Sequence, residues 1–391
     1  MKQPIRKNIK ENHNISDIKP IYTLLIDGNS VMKMSAVDKR KSGKGLEYGM
    51  LYQTLLQIKI QIQKKDYDHV YFMLDGNNSG VLRYNIYNEY KANRDKNYKS
   101  DEGKSEYQKE YDKRLNSMQQ YFGLKASSER IGTDEESEED SFDRQREIIY
   151  NILEELFCRC CMYDDVEGDD LIAYYVKNKL PNEKIVIVSG DRDLVQLISD
   201  DVCLYVTQLK KYVTPSNCVE ILGYTHENVL LKKMLCGDTS DNIKGIKGMG
   251  EKTFFSLFPD AKTKKYSLDE VIHQTEELIA DRLKNKKKPL VVMENIINRV
   301  TLGSQGENIY DINKKIIDLS EPLLTKEAKD DMDSLIHAPL DPSGREIKNV
   351  YNILLENEFN DLISDNIFST FFSTFNIVID KEKKFFEKNL N

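Results

Sequence analysis

The sequence predicts an α/β fold built on a parallel sheet, followed by a mainly helical C-terminal part. In the first 225 residues, short apolar runs typical of buried strands alternate with helical patterns, which indicates a parallel sheet with helices on both faces. From about residue 227 onward the pattern is helical, with glycines between residues 237 and 250. Hydrophobic residues make up 39% of the 391 residues, which is enough for a sizeable core in one large or two moderate units.

The individual elements follow from their periodicity. A strand is predicted where a short run is continuously apolar, and a helix where apolar side chains recur at every third or fourth position. The predicted elements are, in order, a strand at 21–27, a helix near 50–62, a strand at 69–75, a helix near 148–157, and strands at 184–189 and 202–207. These elements divide the chain into a flexible tail at 1–18, an α/β domain at 19–225 and a helical domain at 226–391.

Composition and charge exclude several classes of protein. No apolar run approaches the ~18 residues of a membrane span, and the start is unlike a signal peptide, so we expect a cytoplasmic protein without membrane contact. The six cysteines predict reduced, buried thiols, and no histidine stands at zinc-ligand spacing from Cys158, Cys160 and Cys161.

The stretch 131–143 holds seven of the 65 acidic residues and no lysine or arginine, which predicts a solvated loop or disordered insert. With this stretch and the acidic motifs below set aside, the net charge of −8 conceals a mildly basic surface that suits a polyanionic partner.

Acidic residues follow the predicted strands. Asp27 and Asp75 end the first two strands, and Asp191 and Asp193 come directly after the strand at 184–189. Because the carboxyl ends of the strands in an open α/β sheet line one crevice, we expect these side chains to converge.

Two further acidic clusters extend this pattern. Glu167, Asp169 and Asp170 stand at the start of a predicted helix, and Asp238 and Asp241 lie in a Gly-Asp-Thr-Ser-Asp-Asn motif. Helix capping or a turn explains any one cluster, but not five in succession. So many carboxylates in one crevice repel one another unless cations compensate them, and oxygen-only ligands favour Mg²⁺ or Mn²⁺. The sequence therefore predicts two metal ions about 4 Å apart, the arrangement used in phosphodiester hydrolysis.

The five motifs, taken together and in this order, resemble those of the 5′ nuclease superfamily over roughly residues 21–260. Similarity to the bacteriophage ribonuclease H type is closest around residues 79–94. The resemblance implies a PIN-like nuclease core with a helical arch. It also implies a ligand set for each metal. The first metal would be held by Asp27, Asp75, Glu167, Asp169 and Asp170, and the second by Asp191, Asp193 and Asp241, with Asp238 nearby.

A glycine-rich turn precedes the apolar helix at 254–258. Gly245, Gly248 and Gly250 let a backbone approach phosphate closely, and Lys247 and Lys252 add positive charge. An ordinary helix–helix turn is the alternative. The resemblance implies a helix-hairpin-helix at about 237–258 that holds duplex DNA by its backbone, together with a bound K⁺ ion.

The stretch that begins at Arg83 mixes cations with tyrosines. Such a mixture suits a single strand, because bases stack on tyrosine while lysine and arginine neutralise phosphates. A solvated helix with tyrosines packed on one side is the alternative. The resemblance implies a helical arch at about 83–125, in which Lys91 and Arg94 are catalytic contacts to the scissile phosphate and Arg83 and Tyr90 are secondary contacts to DNA. On a helix, Lys91 and Arg94 would share one face.

The resulting hypothesis is a monomeric, metal-dependent, structure-specific 5′ nuclease that acts in replication or repair. Its expected substrates are branched or nicked DNA and RNA/DNA hybrids with 5′ ends. The aromatic segment 365–375 suits either core packing or docking on a sliding clamp or a single-strand binding protein. Two other classes remain open: a non-catalytic DNA-junction binder on the same fold, and a smaller relative that cleaves single-stranded RNA but lacks the glycine turn.

Overall fold

The computed structural model describes residues 19–43, 45–92, 138–299 and 308–390. Its centre is a six-stranded sheet, which confirms the predicted α/β class. The strands are β1 (Ile21–Asp27), β2 (His69–Asp75), β3 (Arg159–Tyr163), β4 (Glu183–Ser189), β5 (Val202–Val206) and β6 (Lys211–Val213). Their spatial order is β3-β2-β1-β4-β5-β6; the first five are parallel, and only β6 is antiparallel to its neighbour.

This strand order determines where a crevice opens. The chain runs from β1 outward to β2 and β3, then returns to the other side of β1 for β4 and β5. At such a switch point the connections leave the sheet in opposite directions, and a crevice forms at the carboxyl ends of the strands. Asp27 and Asp75 are the last residues of β1 and β2, so both lie at this edge.

Helices cover both faces of the sheet. In the described ranges they are α1 (Gly28–Ser35), α2 (Gly49–Lys64), α3 (Val81–Ile86), α4 (Glu138–Glu155), α5 (Gly168–Lys177), α6 (Cys218–Leu222), α7 (Val229–Cys236), α8 (Glu251–Leu257), α9 (Leu268–Lys284), α10 (Val291–Asn298), α11 (Ile309–Ile317), α12 (Lys326–Leu335), α13 (Ile347–Glu356), α14 (Asn360–Ile363), α15 (Asp365–Phe372) and α16 (Asn376–Leu390). One face packs against α1, α2, α4 and α13–α16, and the other against α5, α6 and α12. Helices α7–α11 form a separate hydrophobic cluster around the glycine turn.

The prediction for the acidic stretch is wrong for residues 138–143. These residues form the first turns of α4, where Ser141 is buried and Gln145, one turn later, accepts a hydrogen bond from the Leu51 backbone N–H at 3.0 Å. Acidic residues are favourable in the first turn of a helix because of its dipole, so composition alone does not separate this helix from a loop. Residues 131–137 lie outside the described ranges.

The aromatic segment near the C-terminus belongs to the core. Phe371, Phe372 and Phe375 are buried in the cluster that contains α2, with the rings of Tyr52 and Phe371 5.6 Å apart. Packing therefore explains these side chains, as one of the two alternatives predicts.

The six cysteines are all free of disulfide bonds. No helix within the described ranges combines the length and the apolar character that crossing a membrane requires.

Candidate active site

A cavity of about 810 Å³ opens at the carboxyl ends of the strands. Eight of the nine predicted metal-ligand residues line it: Asp27, Asp75, Glu167, Asp169, Asp191, Asp193, Asp238 and Asp241. Residues from five separate segments of the chain thus converge, as the order of the acidic motifs predicts. The lining also includes Arg83, Tyr90 and Lys91 from the predicted arch.

Several of these acids also stabilise the turns on which they lie. Asp27 is the N-cap of α1: its Oδ1 accepts from the Ser30 N–H at 2.9 Å, and its Oδ2 accepts from the Ser189 hydroxyl at 2.5 Å. Asp191 accepts from the Asp193 N–H at 2.8 Å. Capping thus explains part of the pattern, as the alternative predicts, but it also orients the carboxylates toward one cavity.

The centre of the cavity is electrostatically crowded. Burial raises the pKa of Asp27 to about 7, with further contributions from Asp75 and Asp191. Burial, followed by the charges of Asp27, Asp191 and Asp75, raises the pKa of Asp169 well above its usual value. Asp75 is held in place by the Gly168 N–H, which donates to its Oδ1 at 2.8 Å. These carboxylates destabilise one another, so a cation among them would be strongly favoured.

Lys233 of α7 provides one such positive charge, and the sequence pattern does not predict it. Its Nζ forms ion pairs with Asp193 and, at 2.5 Å, with Asp238 Oδ2. Burial raises the pKa of Asp193 to about 6, aided by Asp191 and opposed by Lys233. Burial acts on Asp238 in the same direction, but Lys233 and Ser240 lower its pKa to about 2.

Glu167 lies at the opposite wall and is surrounded by residues of the predicted arch. Lys91 forms an ion pair with its Oε1, Arg83 Nη1 lies 2.8 Å from its Oε2, and the Tyr90 hydroxyl donates to it at 3.1 Å. Burial opposes the ionisation of Glu167, but the two cations lower its pKa. Although Glu167 is the N-cap residue of α5, its side chain makes no capping hydrogen bond. The contacts with Lys91, Arg83 and Tyr90, rather than helix capping, therefore hold the Glu167 side chain in place.

The predicted roles of Arg83, Tyr90 and Asp170 do not fit their positions. Arg83 and Tyr90 line the cavity, but each is only 6% exposed, which leaves little side-chain surface for a contact with DNA. Arg83 Nη2 donates to Asp170 Oδ1 at 3.1 Å, and Arg83 Nε donates to the Ile316 carbonyl at 2.9 Å. Asp170 also accepts from the Leu323 N–H at 2.9 Å and lies behind the cavity wall. These three residues form a buried support for Glu167.

Lys91 follows the end of α3 rather than continuing it. Its φ angle is +56°, in the left-handed region, and its N–H donates to the Asp241 carbonyl at 2.8 Å. The prediction that Lys91 and Arg94 share one face of a helix is therefore wrong, because Lys91 does not lie in a helix. Arg94 lies outside the described residues. Asn242 Nδ2 donates to the Glu89 carbonyl at 2.7 Å, and Lys244 pairs with Glu89 at 2.5 Å. These contacts join the base of the predicted arch to the Asp238–Asp241 loop.

The glycine turn is exposed at its tip. Lys247, Gly248, Gly250 and Lys252 are exposed, and Gly248 has a φ of +87°. Gly245 has a different reason to be glycine, because a side-chain carbon there would lie 2.2 Å from the Cys236 carbonyl carbon. The turn therefore offers backbone and charge at its tip, while its base is fixed by packing.

Comparison with known proteins identifies the family. Residues 22–223 match the family described as 5′-3′ exonuclease, N-terminal resolvase-like domain. The chain belongs to this family.

Curated relatives of this exonuclease-family chain include exonucleases and a polymerase. It is 29% identical over 161 residues to a 5′-3′ exonuclease of Buchnera aphidicola, 35% over 116 residues to one of Mycoplasma pneumoniae, and 31% over 128 residues to DNA polymerase I of Bacillus subtilis. These matches cover 40%, 28% and 32% of the chain, and 54%, 40% and 14% of the respective relatives.

Solved structures show the same fold. A bacteriophage T5 5′-exonuclease with bound zinc aligns with a TM-score of 0.51 at 15% identity, covering 91% of this chain and 99% of that one. A bacteriophage T5 flap endonuclease in a complex with DNA and metal ions aligns with a TM-score of 0.50 at 15% identity, covering 93% and 99%.

The donor chemistry of this site fits a hard divalent cation, since every ligand candidate is a carboxylate. Within the described ranges, no three acidic, histidine or cysteine side chains stand close enough together to enclose an ion. Lys91 and Lys233 instead pair with the carboxylates of the two walls. The pKa values of Asp27 and Asp169 are nevertheless raised, which indicates that the two lysines do not fully neutralise the carboxylates of the cavity. The residues present therefore fit an additional cation.

Proposed function

We propose that the protein is a divalent-metal-dependent, structure-specific 5′ nuclease that acts as a 5′–3′ exonuclease and flap endonuclease in replication or repair. Its substrates would be branched or nicked DNA and RNA/DNA hybrids with 5′ ends. The observation that carries this proposal is the convergence of eight carboxylates on one cavity beside the half-buried cation Lys91. Family membership over residues 22–223 supports it. The closer likeness to the phage ribonuclease H type remains a prediction.

The proposed ligands of the two ions form two groups in the cavity. One ion would be held by Asp27, Asp75, Glu167 and Asp169, and a second by Asp191, Asp193, Asp238 and Asp241. Mg²⁺ is the proposed ion, with Mn²⁺ able to substitute, because both favour oxygen ligands. When bound, such ions activate water and stabilise the leaving oxygen of a phosphodiester.

The lysines supply the remaining positive charge. Lys91 Nζ is directed into the cavity by Glu167 and lies 4.9 Å from the centre of the Tyr90 ring. A substrate phosphate would replace Glu167 as its partner, and the ammonium group would then stabilise the charge that builds on the phosphoryl oxygens. Lys233 would keep Asp193 and Asp238 ionised. The exposed turn at 245–252, with a K⁺ ion, would hold the duplex by its backbone as a helix-hairpin-helix.

The experiment uses a 5′-labelled flap duplex with Mg²⁺, with Mn²⁺ and with chelator. We expect cleavage only with metal, giving 5′-phosphate and 3′-hydroxyl products. Asp193→Ala should abolish cleavage while retaining or tightening flap binding, because it removes a carboxylate that repels phosphate. Asp200→Ala is the matched control, since Asp200 is exposed and lies just before β5, at the opposite end of the strands from the cavity.

Two outcomes would contradict the proposal. Wild-type cleavage by purified Asp193→Ala would refute the assignment of that residue to a metal site. Tight flap binding by the unaltered protein without cleavage in either metal would favour the non-catalytic junction binder.

A further inference from the structure

We infer that the loop between α9 and α10 (residues 285–290) is a second contact for duplex phosphates, beside the glycine turn. This inference rests on the proposed function, because it assumes a duplex substrate, and it extends the bound length of that duplex. The loop lies outside the cavity and has no role in the mechanism above.

The first observation is uncompensated charge. Between Asp281 and Glu294 the chain carries five basic residues and no acidic one: Arg282, Lys284, Lys286, Lys287 and Lys288. The four lysines are exposed, and none of them forms an ion pair with any residue that the structure describes. Cations in the last turn of a helix interact favourably with its dipole, which accounts for Arg282 and Lys284. It does not account for Lys286–Lys288, which come after α9 has ended.

The second observation is that the loop has a defined conformation. Lys286 N–H donates to the Leu283 carbonyl at 2.9 Å, and Lys287 N–H donates to the Arg282 carbonyl at 2.8 Å. Arg282 Nε closes the loop by donating to the Lys288 carbonyl at 2.8 Å. Lys286 has a φ of +57°, so the chain reverses sharply here. The three lysines after the helix are thus presented by a backbone that is already ordered, which lowers the entropic cost of binding.

The third observation places this loop beside the glycine turn. Asn295 of α10 donates through Nδ2 to the Lys247 carbonyl at 2.9 Å, and a side-chain carbon on Gly248 would lie 3.7 Å from Val292 Cβ. Val292 is four positions after Lys288, so their Cα atoms are at most about 14 Å apart. The loop and the turn are therefore close enough for one duplex to contact both.

The test compares duplex binding by the 391-residue chain in the presence of chelator, where cleavage does not interfere. The triple variant Lys286→Ala, Lys287→Ala, Lys288→Ala should bind a long duplex about tenfold or more weakly at low salt, and its salt slope should fall by about two to three units. With progressively shorter duplexes the difference from the unaltered protein should vanish, because a short duplex engages only the turn. The corresponding triple arginine variant should retain affinity and slope.

The matched control removes the same charge elsewhere. Lys348, Lys384 and Lys388 are exposed lysines on α13 and α16, and α16 packs at the amino end of β2. Their triple alanine variant should bind like the unaltered protein, and equal losses in both triples would overturn the inference in favour of a net-charge effect. Unchanged affinity and slope in the loop variant would also overturn it.

Failure of the proposed function would look different. If the unaltered protein cleaves no flap in metal but the loop variant still loses duplex affinity, the nuclease assignment fails and the phosphate contact stands. The loop variant should cleave at the normal single-turnover rate at saturating enzyme, because its residues do not line the cavity.

Discussion

At the scale of single residues, the cavity pairs each acidic wall with one lysine. Lys91 pairs with Glu167, and Lys233 pairs with Asp193 and Asp238. The buried Arg83 also binds Glu167, and it binds Asp170 as well. Lys91 can therefore leave Glu167 for a substrate without leaving that carboxylate uncompensated, whereas Arg83 is fixed.

This difference predicts the behaviour of Lys91→Ala. The single-turnover rate on a flap should fall on the order of 10²–10³-fold, while affinity changes little, because a preorganised donor acts on charge that develops in the transition state. The rate is measured by quenching reactions at successive times, at enzyme concentrations well above the dissociation constant for the flap. Full recovery of the rate at saturation would mean that Lys91 only holds the strand.

The choice of control matters for this comparison. Lys179 is unsuitable, because its ammonium group pairs with Asp201 at 3.3 Å. Lys348 is exposed, and we find no ion pair for it with the described residues, so Lys348→Ala should leave both rate and affinity unchanged.

Which residues sequence reasoning finds depends on the kind of signal they leave. Asp27 and Asp75 are predictable because an acidic residue directly after a continuous apolar run is visible in one dimension. Lys233 is not, because Lys232 and Lys233 are adjacent on α7 and only packing decides that Lys232 meets Glu251 while Lys233 meets the cavity. Arg83 was predictable as part of the site but not as a buried support, because its partners Asp170 and Ile316 are distant in sequence.

At the scale of elements, the glycine turn offers a test that separates phosphate approach from backbone strain. Gly248 has a φ of +87°, so any side chain there is strained and loss of binding would be ambiguous. Gly250 has a φ of −114°, and a side-chain carbon built on it meets no described atom within 4 Å. Gly250→Ala should therefore fold normally.

If phosphate approaches this backbone, Gly250→Ala should weaken duplex binding several-fold without lowering the free energy of unfolding. Lys252→Ala should lower the salt slope of duplex binding by about one unit. Salt titrations and urea unfolding of both variants provide the measurements. Wild-type duplex binding by both would show that the turn serves only the packing of α7 and α8.

A second element-scale feature is the buried polar network at the amino ends of the strands. Glu183 of β4 accepts hydrogen bonds from Thr23 at 2.5 Å and Tyr175 at 2.8 Å, and its Oε2 lies 2.8 Å from His337 Nε2. Burial opposes its ionisation, but the contacts with His337 and Thr23 lower the pKa of Glu183 from 4.5 to about 2.

This lowered pKa predicts how stability depends on pH. Because the folded state favours the ionised carboxylate, the stabilisation is complete above pH 4.5 and is lost as the pH falls toward 2. The shift corresponds to roughly 3 kcal/mol of unfolding free energy. Glu183→Gln should remove most of this stabilisation at neutral pH. The free energy of unfolding, measured with urea at a series of pH values, should then fall less steeply toward acidic pH. The exposed control Glu276→Gln should change neither property. An unchanged acid limb in Glu183→Gln would contradict this assignment.

At the scale of the whole molecule, the last helices return to the first domain predicted from the sequence. Glu382 of α16 is fully buried and binds Arg159 of β3 at 2.7 Å and His69 of β2 at 2.9 Å. The alternation of strands and helices predicts the sheet, because it is local in sequence. It does not predict that α13–α16 complete one of its faces, because that contact joins residues about 300 positions apart, such as His69 and Glu382.

A chain ending at residue 340 is therefore expected not to fold cooperatively. It would lose nine apolar side chains that are buried with α1, α2 and α4: Val350, Leu354, Phe359, Leu362, Phe371, Phe372, Phe375, Val378 and Ile379. Burial of each contributes about 1.5–3 kcal/mol, so the nine together contribute about 14–27 kcal/mol, which is comparable to or above the usual 5–15 kcal/mol net stability of a domain. The truncation would also remove Glu382, the buried ion-pair partner of Arg159. Urea unfolding followed by circular dichroism measures the outcome: a single sharp transition, with flap cleavage retained, would show that the sheet and α7–α12 form a unit that does not need these helices.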